Sequence, residues 1–173
     1  KSVETACRIT NKENIQYLNN KTIEIERDKY IIGSTLWSDH TNSIPFVNNF
    51  LQKFYTFVNI EYNNSVYFLN NELTKIENKN LNNNLEHANV TILSHYLPTL
   101  KLVDSEYMSI YYINTEQSER YFSNLDHLIK YPVKNWICGH SHSIIDLEFN
   151  NVYLGINCFE KKSKFINLKF IYV

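Results

Sequence analysis

The sequence predicts a layered α/β domain on three grounds. Short β-branched runs alternate with segments whose apolar residues recur at helical spacing, the order expected when helices cover a sheet. A hydrophobic content of 43%, with 14% aromatic residues, is enough to pack a core. A length of 173 residues suits one such core and falls short of two, so a single domain over residues 1–173 is expected.

Thr22-Ile23-Glu24-Ile25-Glu26 alternates apolar and polar residues, and Tyr30 to Trp37 is a longer apolar run; the short Arg27-Asp28-Lys29 between them predicts a β-hairpin. Ser38 to Ser43 is polar and predicts a loop. Phe46, Val47, Phe50, Leu51, Phe54 and Phe57 then recur at near-helical spacing, and Val66, Leu69, Leu73 and Ile76 mark a second helix over Ser65 to Ile76. The asparagine-rich run Asn78 to Asn84 predicts a surface loop. Val90-Thr91-Ile92-Leu93 is a short strand that cannot continue smoothly through Pro98, which has no N–H for a sheet ladder. Ser118 to Lys130 predicts a third helix, capped by Ser118, with Tyr121, Phe122, Leu125, Leu128 and Ile129 turned inward. Beyond Pro132 come the strand-like Trp136 to Gly139 and then Ser143 to Phe149, Val152 to Asn157 and Phe165 to Val173, a C-terminal antiparallel meander with Asn150-Asn151 as a tight turn.

Charge narrows the function classes. The net charge is −1 with both signs scattered along the chain, which leaves no basic stripe for duplex DNA or an anionic membrane surface. No stretch approaches the roughly 18–20 continuous apolar residues of a membrane span, and no signal segment opens the chain. Cys7, Cys138 and Cys158 are odd in number, widely spaced and without a CxxC pair, so reduced thiols and a cytoplasmic location are expected. The chain opens at Lys1 and not at methionine, which fits a protein that has been processed or that has an upstream part.

The most informative segment is Trp136-Ile137-Cys138-Gly139-His140-Ser141-His142. On an extended backbone residues i and i+2 project to the same side, so His140 and His142 can aim both imidazoles into one space past a strand end. Gly139 suits that corner because it adopts backbone angles closed to residues with a Cβ and lets a ligand approach the main chain. His95 also follows a strand. Ligands gather at strand C-termini in open α/β sheets, so His95, His140 and His142 are the candidate metal ligands, imidazole being a common partner of Zn, Mn, Fe and Ni. Taken alone, His95 fits a hydrogen-bonded histidine at a loop start, whereas glycine, strand end and spacing favour metal at 140 and 142. His40, His87 and His127 have no such company: the last is expected to be exposed on its helix and the other two solvated in loops.

Cys138-Gly139-His140-Ser141-His142 resembles the Gly-His-x-His signature of the calcineurin-like metallophosphoesterases. Further segments agree in order: Ile32-Gly33-Ser34-Thr35-Leu36-Trp37-Ser38 is similar to that family's "GTTLWS" strand, Thr91 to Thr99 to its "VVTHHAPS" segment, and Gly155-Ile156-Asn157 to the stretch before its late asparagine. The resemblance implies a four-layer α/β/β/α sandwich with two divalent metal ions (Mn, Zn or Fe) at the strand ends. His95 and His140 would bind one ion and His142 the other. Two such ions about 3.5–4 Å apart activate a bridging hydroxide and clamp the phosphoryl oxygens, so the implied activity is phosphoester hydrolysis.

The family's early Asp-x-His, Gly-Asp-x-x-Asp and Gly-Asn-His-Asp/Glu motifs have no counterpart here, so these residues are expected to be the C-terminal portion of such a domain, with the N-terminal strands missing and an upstream segment or partner chain completing the sheet and the site. Tyr96 stands where the second histidine of the paired segment would be, and Asn157 to Lys161 departs from the family's "NPRGY". A different class of function is a catalytically silent relative that keeps the fold as an interaction module, using exposed aromatics among its 13 tyrosines and 10 phenylalanines. A mononuclear three-histidine site is a third possibility. The substrate is a phosphoester of unspecified type, chosen by loops such as Ser38 to Ser43, Leu97 to Asp104 and Cys158 to Lys164.

Overall fold

The computed structural model describes residues 16–41, 48–82, 88–103, 122–141 and 143–157. The expected hairpin is present as β1 (Lys21–Glu26) and β2 (Lys29–Ser34), antiparallel, with Ile23 opposite Ile31. Asp28 makes the reversal at φ 62°, a left-handed conformation that aspartate visits more readily than most residues. β2 stops at Ser34, short of Trp37, and Leu36 lies at φ 49°.

One helix, α1 (Asn49–Asn82), takes the place of the two expected ones and absorbs the start of the asparagine-rich run. Asn48 caps it, its Oδ1 accepting from the backbone N–H groups of Phe50 and Leu51 at 3.1 Å each. Val58 to Asn64 holds neither glycine nor proline, and its asparagines cost only about 0.5–0.7 kcal/mol each in helix propensity. Burial of Val58 in the same stretch offsets that cost. The 34 residues span roughly 50 Å, against roughly 20 Å for a six-residue strand. Leu69, Leu73 and Ile76 in the C-terminal half therefore join the sheet core, while Phe50, Phe54, Phe57 and Ile60 in the N-terminal half remain at least half exposed.

β3 (Asn89–Ser94), β4 (Val133–Cys138), β5 (Ile144–Phe149) and β6 (Val152–Asn157) complete a six-stranded mixed sheet of order β1-β2-β3-β4-β6-β5. Strands β2, β3, β4 and β6 run parallel, and the two edge strands are antiparallel to their neighbours. Asn150 (φ 53°) and Asn151 (φ 60°) form the expected tight turn, the left-handed pair that suits a two-residue hairpin. The meander is corrected: β6 inserts between β4 and β5 and pairs parallel with β4. Val152, Leu154 and Ile156 are buried, as a central strand requires, whereas β5 alternates exposed and half-buried residues, as an edge strand does. Phe165 to Val173 lies outside the described residues.

The helix expected over Ser118 to Lys130 is also corrected where it is described. Residues 122–125 are not helical, and only a 3₁₀ turn forms, at Asp126–Leu128. The backbone N–H groups of Ser123 and Leu125 donate to Leu97 O and Pro98 O, both at 2.9 Å, instead of closing helical turns. Leu125, Leu128 and Ile129 are buried as the apolar spacing predicted, but from a loop that lines the Leu97–Thr99 segment.

The core lies between α1 and one face of the sheet, where Tyr30, Ile32, Val90, Ile92, Trp136 and Leu154 are buried. The strand registers place Ile31, Thr91, Leu93, Asn135, Ile137 and Tyr153 on the other face. That face is uncharged across its centre; Asn135 Nδ2 donates to Thr91 Oγ1 at 3.1 Å, and Leu93 is 40% exposed. A Cβ at Gly33 would overlap Leu18, which rests there. Among the described residues the fold is thus mixed α/β, with one sheet and one α-helix.

An ionic latch joins the hairpin to the helix end. Lys79 Nζ donates to Glu24 Oε1 at 3.0 Å and to Tyr30 Oη at 2.6 Å, and the Asp28 N–H donates to Glu24 Oε1 at 3.2 Å. The hydrogen bond from Lys79, then that from the Asp28 amide, hold the Glu24 carboxyl below its ordinary range. A lowered carboxyl pKa contributes stability that is present above the unfolded-state value and lost as pH falls through the folded-state value. Glu24→Gln is therefore expected to melt lower than wild type at pH 7, with the two melting curves converging once the pH is below the lowered value. A gap of the same size in acid and at neutrality would contradict this latch.

A candidate metal corner at the strand ends

Because β2, β3, β4 and β6 are parallel, their C-terminal ends share one edge of the sheet, where ligands collect in open α/β sheets. His95 is the first residue beyond β3, and His140 the second beyond the neighbouring β4. Main-chain hydrogen bonds bind these ends together. The N–H groups of His95 and Tyr96 donate to Thr35 O at 3.3 Å each, and Gly139 N–H donates to His95 O at 3.1 Å. Beneath them Trp136 Nε1 donates to Ser94 Oγ at 3.0 Å, and Ser94 Oγ donates to Tyr96 O at 2.8 Å.

His140 Nδ1 lies 3.2 Å from His95 Nε2. At that separation one ring donates to the other, the direction set by tautomer. Two nitrogens each about 2.0–2.1 Å from one ion stand roughly 2.8–3.4 Å apart at octahedral to tetrahedral angles, so the spacing also fits two ligands of a single metal. Tyr96 lies beside both rings, tilted against His140 at 4.3 Å between centroids and edge-on to His95 at 5.1 Å. Trp37 packs on Tyr96 at 5.8 Å and meets Phe57 of α1 at 6.2 Å. His95 keeps an exposed edge, and burial of the rest of its ring holds its pKa below the ordinary histidine value, which favours the neutral, ligating form. Burial raises the pKa of Tyr96.

The role expected of Gly139 falls to its neighbour. Gly139 is not in the left-handed region, whereas His140 is, at φ 73°. Such a conformation is costly for a residue with a Cβ, and it concentrates at functional corners held by their surroundings. Ser141 N–H closes the bend on Gly139 O at 2.9 Å. Of the three candidate ligands the described residues bring two together, His95 and His140; His142 lies outside them. Among the described residues no group of three or more His, Cys, Asp or Glu side chains converges.

The expectation of a solvated His40 is corrected. It is 4% exposed, stacked on Tyr55 of α1 with 4.5 Å between centroids, its Nε2 3.0 Å from Ser38 Oγ and its backbone N–H donating to Asn59 Oδ1 at 2.6 Å. No local pattern announces this burial, because its partners come from a helix that begins beyond the loop. His127 is exposed as expected, though on a 3₁₀ turn, and His87 lies outside the described residues.

No family model matches the chain, and no solved structure matches it. It is similar to the uncharacterized protein L509 of Acanthamoeba polyphaga mimivirus, 26% identical over 160 residues, a match that takes in 83% of this chain and 54% of that one. The chain thus spans about half the length of the curated relative that it matches. Among the described residues no helix is long and apolar enough to cross a membrane.

Proposed function

We propose that the chain is part of a metal-dependent phosphoesterase of the calcineurin-like kind, and that His95 and His140 are ligands of a divalent ion at its centre. The observation that carries this is the 3.2 Å approach of two imidazole nitrogens at the C-terminal ends of adjacent parallel strands. A second feature supports it: a sheet with a helix on one face and, on the other, an uncharged centre where Leu93 is 40% exposed suits a further layer, as in a sandwich of two sheets. Two neutral nitrogen donors fit Zn, Mn or Fe, and the ligands still needed, His142 and carboxylates from a segment upstream of Lys1, belong to the proposal. A divalent ion there supplies a Lewis acid for a phosphoryl oxygen and activates water. The chain's own part is to hold both imidazoles in place, through the Thr35, Ser94 and Gly139 hydrogen bonds and the packing of Tyr96 on both rings.

The exposed row Phe50, Phe54 and Phe57, spaced as one helical face, favours a second reading, an interaction module on the same fold. Hydrolysis of an aryl phosphate with added Mn²⁺ or Zn²⁺ separates the two. The 173-residue chain is expected to turn over slowly or not at all, and a version carrying the upstream carboxylate motifs to be active and to lose that activity on His140→Ala. Full activity of the short chain would contradict the ligand account; inactivity of both versions would favour the interaction module.

A further inference from the structure

We propose that Tyr96 is the positioning residue of this corner: its ring, packed on His140 and edge-on to His95, sets both imidazoles in ligand geometry before an ion arrives. The proposal rests on the metal assignment of the two histidines and adds to it the group that pre-organises them. Tyr96 is held at both ends of its backbone, by its N–H on Thr35 O and by Ser94 Oγ on its carbonyl, and Ser94 is fixed in turn by the buried Trp136 indole. Its side chain is packed as well, against Trp37 at 5.8 Å and His140 at 4.3 Å between centroids. A ring so fixed limits where the His140 imidazole can go, and His140 most needs that limit, being the ligand at φ 73°. His95 reaches the same ring edge-on at 5.1 Å, so one side chain sets the angle between the two ligands. The work is done by the ring face and not by the hydroxyl, which makes Tyr96→Phe the conservative control.

The test is a Co²⁺ titration of the 173-residue chain, followed by the visible d–d absorption of the bound ion, with melting of the metal-free protein as the control for folding. Wild type and Tyr96→Phe are expected to bind alike. Tyr96→Leu, which keeps apolar bulk without a planar ring, and Tyr96→Ala are expected to bind about 10- to 100-fold more weakly, the usual loss when a ligand's support is removed. Metal-free Tyr96→Leu should melt close to wild type. Equal Co²⁺ affinity in wild type, Tyr96→Leu and Tyr96→Ala would overturn the role of Tyr96 and leave the metal assignment standing. A wild-type chain that takes up no Co²⁺ would overturn both.

Discussion

His140→Ala is expected to cut the affinity of the chain for Zn²⁺ by more than the roughly 10- to 100-fold that loss of a supporting residue costs, because on the proposed assignment it removes a ligand itself. Alanine also carries a Cβ, so the left-handed backbone at φ 73° costs it about what it costs histidine, and the main-chain hydrogen bonds that close the bend remain. Metal-free His140→Ala should accordingly unfold at close to the same denaturant concentration as wild type. The two effects together, weaker zinc and undiminished stability, are what a corner strained for function produces. Zinc affinity by competition with a chelating dye and urea unfolding of the metal-free protein read them separately. Unchanged zinc affinity would remove His140 from the site, and a large loss of stability would make it a structural histidine.

Trp136→Ala is expected to destabilise the chain by about 3–5 kcal/mol, the range for deleting a large aromatic side chain from a core. Trp136 is fully buried at the centre of the sheet, level with Ile92 on one side and Leu154 on the other. Its indole also anchors Ser94, and through Ser94 the carbonyl of Tyr96, so the loss reaches the histidine corner. Trp136→Phe divides the two contributions. It keeps most of the volume but removes the donor to Ser94 Oγ, for which a cost of about 1 kcal/mol is usual for a single hydrogen bond. Urea unfolding midpoints measure both variants. A loss under about 1 kcal/mol for the alanine variant would mean that the core closes without this residue.

The strands were legible wherever a short alternating or β-branched run is closed by turn residues. Thr22 to Glu26, Val90 to Leu93 and the Asn150-Asn151 turn are decided by neighbours in sequence, and the sheet contains them. The place of β6 was not, because strand order depends on which edge a parallel strand finds, although the continuous burial of Val152, Leu154 and Ile156 against the alternation of β5 does distinguish centre from edge. The Ser118 to Lys130 error has the same root. Leu125, Leu128 and Ile129 lie at helical spacing and are buried, yet their backbone donors are taken by Leu97, Pro98 and local turns. Apolar spacing reports which side chains go inside, and it identifies a helix only when the backbone donors have no better acceptor.

At the candidate site the sequence indicated His95 and His140, because each stands just past a β-branched or apolar run. It did not indicate that Tyr96 lies against both, since ring packing across two strand ends depends on the parallel pairing of β3 and β4. It also placed the special backbone one residue early. Glycine is the usual occupant of a left-handed position, but His140 takes it, in the bend that brings its ring 3.2 Å from His95.

The central claim is that His95 and His140 bind one ion together. X-ray absorption at the zinc edge of the zinc-loaded 173-residue chain counts imidazoles directly, by their outer-shell scattering. At least two histidines per zinc are expected in wild type, one fewer in each of His95→Ala and His140→Ala, and little retained zinc in the double variant. Zinc held with an unchanged histidine count in both single variants, or no zinc held by wild type at all, would contradict it.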